Sequence, residues 1–222
     1  MKTRPILTVD VVLFTVAQGR LRLALLKRKR APFEGRLALI GGYVHPEDDR
    51  DATGAALRLL ADKAGLTGVF VEQLMTFSGA DRDPRGWSAS IAYYALVPEK
   101  DLAASPAASD LALVAPDDLP ALPFDHDRII AAALERLRGK SAYSSLPAFL
   151  LPPRFTLPQL KATYETVMGT PLNDSAFRRK IMDLGIIEPV PEAKSPATAA
   201  QRRPAQYYRL KRRALTAFDS TV

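Results

Sequence analysis

Gly41-Gly42-Tyr43-Val44, followed after an acidic loop by Arg58-Leu59-Leu60-Ala61-Asp62-Lys63-Ala64-Gly65-Leu66, is the stretch from which the fold of this chain is read. Ala52, Ala55, Ala56, Leu60 and Ala64 recur at helical spacing, which predicts a helix over Asp51–Ala64, and Gly65 supplies the stop. A glycine pair ahead of an amphipathic helix is common, so its meaning depends on what the helix carries. Positions 59, 62 and 63 stand three and four residues apart and therefore share a face. They read Leu59, Asp62 and Lys63: one apolar group, one acid and one base.

Outward from that helix the pattern changes to strands. Thr8–Val16 and Leu21–Lys27 are rich in Val, Leu and Phe and are joined across a turn at Gln18-Gly19-Arg20. Arg36–Ile40 runs into the glycine pair as a third strand. Val69–Phe77 and Ser88–Val97 are two more, separated by a polar, turn-rich loop at 78–86. Ala103–Pro120, rich in Ala, Pro and Asp, is expected as a surface excursion before a helix over Asp125–Arg138. Strands with helices on the faces of a mixed sheet make an α+β fold, an α/β/α sandwich. The apolar run Leu7–Phe14 is short and interrupted by Asp10, which suits a buried strand rather than a membrane span or signal peptide. No cysteine is present, which excludes disulfides and thiolate metal sites. A cytoplasmic location is expected.

With its helix placed, the opening stretch resembles the Nudix box: Gly, five residues, Glu, seven residues, then Arg-Glu-apolar-any-Glu-Glu-any-Gly-apolar. Arg58 and Gly65-Leu66 keep the family spacing. Counted from Gly42, Arg58 lies two residues too far along, so the loop carries an insertion, and the first Glu of the pattern falls at or near Asp48 or Arg50. In the family, carboxylates on one helix face hold divalent cations that neutralise a diphosphate and activate water. Here those positions are Leu59, Asp62 and Lys63, leaving Asp62 as a weak metal candidate. Glu47, Asp48, Asp49 and Asp51 crowd the loop, but loop acids without a helix to fix them preorganise a metal poorly. Weak or absent hydrolysis is expected. No cofactor is required, and Mg²⁺ would enter only if hydrolytic activity remains.

Phe77, Asp81-Arg82-Asp83-Pro84-Arg85-Gly86, Ser90–Pro98 and Phe124-Asp125-His126 are similar to the ADP-ribose-type Nudix branch. The resemblance covers most of residues 5–138. It makes Arg36, Gly41, Gly42, Arg58, Lys63, Arg82 and Arg85 candidate ligand residues, with Lys63 able to pair with a diphosphate in place of a metal. For each arginine the competing reading is a structural ion pair. Trp87 or Phe77 is a candidate to stack on adenine, although an aromatic on a strand is more often core. His126 is expected to be structural, since no nucleophile accompanies it.

Charge divides the chain. Residues 1–137 hold 17 Lys+Arg against 18 Asp+Glu, and residues 138–222 hold 14 against 6, so the whole excess of +7 arises in the last 85 residues. Charge so concentrated in a small segment is the footprint of a nucleic-acid binder. There, Thr156 and Gln159 form a capping box that opens a helix ended by Gly169. Asn173 caps a second helix, Asp174–Leu184, with Gly185 at its end. Ile186–Val190 and Tyr207–Leu210 read as strands flanking a polar loop. Helix, turn, helix and hairpin form a winged helix-turn-helix. Ser175 and Arg178 are candidates for base edges, and Arg179 and Lys180 for phosphates. Asn173 is a poorer candidate because capping occupies it. Arg202 and Arg203, at the wing, are placed to reach phosphates or a narrow minor groove.

The segments from Phe155 to Leu160, Asn173 to Ile181 and Arg202 to Arg209 resemble the winged helix of Nudix-related transcriptional regulators of NAD metabolism, the NrtR type. That resemblance implies a repressor whose Nudix-like domain (1–138) senses ADP-ribose or a related NAD-derived diphosphate. A linker (139–154) would lead to a DNA-binding winged helix (155–215). A homodimer on palindromic double-stranded operator DNA is expected. Two other classes remain open: a Mg²⁺-dependent ADP-ribose pyrophosphatase with an accessory domain, and a nucleotide- or RNA-binding scaffold. AMP release separates the first from the repressor, and sequence-specific DNA binding separates the second.

Overall fold

The structure is a computed structural model, and it describes residues 4–194, 205–219 and 221–222. The chain divides into two compact units, Met1–Arg136 and Leu137–Val222.

The first unit is built on a seven-stranded mixed sheet. Strand β1 (Ile6–Ala17) turns at Gln18-Gly19 into β2 (Arg20–Lys27). Both turn residues have positive φ (52° and 71°), the conformation that lets a two-residue hairpin follow the strand twist. Next come β3 (Leu37–Ala38), β4 (Ile40–Tyr43), helix α1 (Ala52–Ala64), β5 (Phe70–Gly79) and β6 (Ser88–Leu96). The order across the sheet is β3-β2-β1-β6-β5, with β4 antiparallel to β1 and β6 parallel to it.

The expected strand Arg36–Ile40 is broken at Leu39, whose amide leaves the ladder and donates to Nδ1 of His126 at 3.1 Å. The expected excursion 103–120 contains a strand, β7 (Leu111–Val114), paired antiparallel with β2 and preceded by a short helix, α2 (Glu99–Ala103).

Asp51 caps α1, accepting from the Gly54 amide at 2.8 Å, and Gly65 closes it with φ +60°. Each such cap is worth about 1 kcal/mol. The inner face of α1 (Ala55, Ala56, Leu59, Leu60) packs on Val9, Val11, Leu13 and Ile40. Burying each Leu or Ile there stabilises by about 2 kcal/mol. Strand alternation sends Asp10, between Val9 and Val11, to the opposite face. There it meets the start of helix α3 (His126–Ser141), which begins in the first unit and ends in the second.

In the second unit, β8 (Phe155–Thr156) leads into α4 (Leu157–Met168) through the expected capping box. Helix α5 (Asp174–Asp183), capped by Asn173, is followed by β9 (Ile187–Lys194) and β10 (Gln206–Leu210), giving a sheet of order β8-β10-β9. The core gathers Phe155, Leu160, Tyr164, Phe177, Ile181 and Tyr208. Tyr164 meets Phe177 edge to face at 5.3 Å, and its hydroxyl donates to the Ser144 carbonyl at 2.7 Å. Residues 139–154, expected as a linker, are packed: Leu146, Ala148, Phe149 and Leu150 are buried. Residues beyond 215 run back along this segment, with Phe218 and Val222 amides donating to the carbonyls of Tyr143 and Ala142.

Candidate functional site

In the first unit the polar residues gather where β1, β4 and the start of α3 converge. Asp10 is buried and accepts from Ser90 Oγ at 2.6 Å. Arg82 lies 3.9 Å from it and His126 Nε2 lies 3.7 Å away. Arg82 is committed inward: Nε and Nη2 grip both oxygens of Asp125 at 3.1 and 2.7 Å, and Nη1 donates to Ser88 Oγ at 3.1 Å. His126 accepts the Leu39 amide on Nδ1, which places the proton of the neutral ring on Nε2, toward Asp10. Burial holds its pKa below the ordinary value, so it stays uncharged. His126 thus fixes the strand break, a structural role.

The two glycines of the opening motif serve close approach. A Cβ on Gly41 would collide with Asp10, and one on Gly42 would lie 2.7 Å from Leu59 Cδ2 on α1. Arg58, a candidate ligand residue, clamps the inserted loop. Its Nε and Nη2 hold Asp49 at 2.7 and 2.8 Å, and Nη2 also donates to the Tyr43 carbonyl at 3.1 Å. The Asp49 carboxylate, bonded by Arg58 and by the His45 amide, is drawn down to about 2. Of the loop acids, then, Asp49 is an ion-pair partner and Asp51 a helix cap. His45, Glu47 and Asp48 stand within 4.8 Å of one another on the partly exposed loop, while Asp62 is exposed and 3.8 Å from Arg58.

Around the Asp10 network lies a rim of cations and aromatics. Arg85 pairs with Asp83 (2.9 and 2.6 Å), touches the Tyr43 hydroxyl and lies over the Phe124 ring at 5.9 Å. Arg28 lies over the same ring at 4.9 Å and donates to the Pro32 carbonyl at 2.8 Å. Arg36 covers Phe33 and donates to the carbonyls of Ala121 and Leu122 at 2.6 and 3.2 Å. Lys63 turns its ammonium onto the Gly41 carbonyl, and enclosure of that group lowers its pKa. Trp87 is half exposed, at the mouth of an open cavity with Arg4 and Arg85, whereas Phe77 is core. Sequence reasoning missed Arg28, Tyr43 and Asp10. Arg28 sits in the basic run Lys27–Arg30, and nothing in spacing joins it to Phe124.

The second unit presents α5. Phe177 and Ile181 face the core, which leaves Ser175, Arg178, Arg179 and Met182 exposed on the outer side and Lys180 half-buried. The turn before α5 is latched: Lys161 bridges Glu165 and Asp174, each at 2.9 Å, and Glu165 accepts the Leu172 amide at 2.8 Å. Arg209 pairs with Glu188 across the wing strands at 2.7 Å. Arg202 and Arg203 lie outside the described residues. Among the described residues no helix is long and apolar enough to cross a membrane.

A nucleotide-diphosphate fold with a depleted acidic helix, joined in one chain to a winged helix, defines a ligand-linked DNA-binding protein. Comparison with known proteins agrees. The NrtR DNA-binding winged helix domain matches residues 147–210. The chain is 36% identical over 209 residues to the ADPR responsive transcriptional repressor NtrR of Acinetobacter baylyi, covering 92% of this chain and 82% of that one. Shewanella oneidensis NrtR, crystallised with a 27mer DNA, superposes with a TM-score of 0.88 at 33% identity, over 97% of this chain and 99% of the other. The NUDIX domain of the same Shewanella protein, crystallised with ADP ribose, matches 61% of this chain and 90% of its own length at 35% identity and TM-score 0.54. The chain belongs to the NrtR family, a Nudix fold followed by a winged helix.

Proposed function

We propose that this protein is a transcriptional repressor of NAD-metabolism genes. Its winged helix binds double-stranded operator DNA, and its Nudix-like unit senses ADP-ribose or a related NAD-derived diphosphate. The observation that carries this reading is the 36% identity, across both units, to a repressor that responds to ADP-ribose. Helix α5 supports it by presenting Ser175, Arg178 and Arg179 outward from a latched turn. These residues would enter the major groove, with Ser175 and Arg178 toward bases and Arg179 and Lys180 toward phosphates. Arg202 and Arg203 on the wing would add phosphate contacts. A homodimer in the cytoplasm, matched to a two-fold operator, completes the reading.

At the ligand site, Arg85, Lys63 and Arg36 would meet the nucleotide, Gly41 and Gly42 would let it approach the backbone, and Arg58 and Arg82 would hold the loops that frame it. Ligand alters DNA binding only through unequal affinity for the DNA-competent and incompetent states. Release of DNA on ADP-ribose binding is the direction proposed. Fluorescence anisotropy of labelled DNA from upstream of the gene, against scrambled competitor and then with ADP-ribose, tests it. Specific binding that ADP-ribose relieves is the expected result. Equal affinity for scrambled DNA at that site would reject the repressor reading there.

One observation favours a second reading: the His45, Glu47 and Asp48 group would suit a divalent cation. In that case Mg²⁺ would support hydrolysis, and AMP would form from ADP-ribose. All three residues sit on the 44–50 loop rather than on α1, so hydrolysis is expected to be weak or absent.

A further inference from the structure

The Nudix box implies a divalent cation on the carboxylate face of α1, and the residues present do not fit one. Leu59 is buried in the α1 core. Asp62 is exposed and its nearest cation is Arg58 at 3.8 Å. Lys63 fills the remaining position with an ammonium that hydrogen-bonds the Gly41 carbonyl. A metal there would face a positive charge and one exposed acid.

Three cations nevertheless converge on this place. Lys63, on α1, places its ammonium on β4, at the Gly41 carbonyl. Arg28 and Arg85 share the Phe124 ring at 4.9 and 5.9 Å. Among the described residues neither Lys63 nor Arg28 has a carboxylate within 4 Å. Of the nearby acids, Asp83 is taken up by Arg85 itself, and Asp10 is held by Ser90 and the Arg82 network. The cations also oppose one another. Burial and then Arg85 lower the Arg28 pKa against the pull of Asp10, Asp83 and Tyr43, and burial is the main cause for Lys63, with Arg28 and Arg58 adding to it against Asp10 and Asp62. Two cations without a close carboxylate, beside a third that is already paired with Asp83, form a receptor for a dianion at the Gly41 edge, because the anion relieves their repulsion while forming charge-assisted hydrogen bonds.

We infer that Lys63, with Arg28 and Arg85, supplies the positive charge for the diphosphate that a divalent cation would otherwise provide, so that nucleotide binding at this site is independent of metal. This rests on the nucleotide-sensing reading above. Lys63 meets the anion as a fixed point charge, and Arg28 can offer it Nη1, since Nε donates to the Pro32 carbonyl and Nη2 to the Arg30 carbonyl. The site senses nucleotide whatever the Mg²⁺ concentration.

Calorimetric titration of the full chain with ADP-ribose, once in EDTA and once in Mg²⁺, tests the inference. Equal affinity in both is expected. Lys63→Gln should weaken binding about tenfold or more in both buffers. Lys63→Glu should lose binding in EDTA and regain part of it in Mg²⁺, because it places a second acid beside Asp62. Arg28→Gln should weaken binding without creating metal dependence. Thermal melting without nucleotide establishes that each variant is folded. Wild-type binding that appears only with Mg²⁺, or Lys63→Gln binding as tightly as wild type in EDTA, would overturn the inference and leave the sensor reading intact. Failure to bind in either buffer would remove both.

Discussion

Gly41 faces the carboxylate of Asp10 so closely that a Cβ on Gly41 would stand 1.9 Å from Oδ1. Asp10 has no room to withdraw, since Ser90 holds it at 2.6 Å and Arg82 and His126 flank it. Gly42 differs. Its Cβ would meet Leu59 Cδ2 at 2.7 Å, the far end of a flexible side chain. Gly41→Ala should therefore cost about 3 kcal/mol of stability and Gly42→Ala about 1 kcal/mol. Urea unfolding of both variants checks this, and equal losses would show that Asp10 is not fixed as described.

The Arg58–Asp49 pair gives a second expectation. Asp49 accepts from the guanidinium and from the His45 amide, so it ties the inserted loop to α1. Arg58→Ala should speed hydrogen exchange at His45 and Asp49, while Gly54, capped by Asp51, keeps its protection. If Arg58 served the ligand alone, nucleotide affinity would fall and exchange in the loop would stay as it was.

That pair also shows how far the sequence could be read. Caps are local, so the bounds of α1, the Thr156–Gln159 capping box and the Asn173 cap followed from residues three apart. Strand β7 did not, because four residues amid Ala, Pro and Asp become a strand only by pairing with β2. The break at Leu39 depends on His126, 87 residues away. Charge names a residue but not its partner. Nothing in spacing joins Arg58 to Asp49 or Arg82 to Asp125, and Arg28 acquires meaning only beside Phe124 and Arg85. The Lys161 latch joins two helices across a turn and left no mark in either helix pattern.

His126 makes stability depend on pH. Burial lowers its folded pKa below the ordinary 6.5, against the pull of Asp10 and Asp125, while Arg82 and Arg28 lower it further. Between the folded pKa and 6.5 the unfolded chain binds the proton and the folded chain does not. The contribution is therefore complete above about pH 6.5 and is lost as pH falls below it, by up to about 1.4 kcal/mol per pH unit. His126→Gln keeps an acceptor for the Leu39 amide and should flatten this part of the curve. An unchanged slope would assign it to another group.

Helix α5 allows base reading and phosphate anchoring to be separated. Phe177 and Ile181 point into the core, so Ser175 and Arg178, three residues apart, share the outer face near the capped N-terminus that enters the groove first. Arg178→Ala should lose about 1–3 kcal/mol of preference for operator over a site altered at one base pair. Arg179→Ala should weaken both DNAs alike and lower the slope of log affinity against log salt by about 1. Anisotropy titrations at several salt concentrations measure both quantities. Should Arg178→Ala change only the slope, that side chain lies on the backbone and specificity rests with Ser175 or the wing.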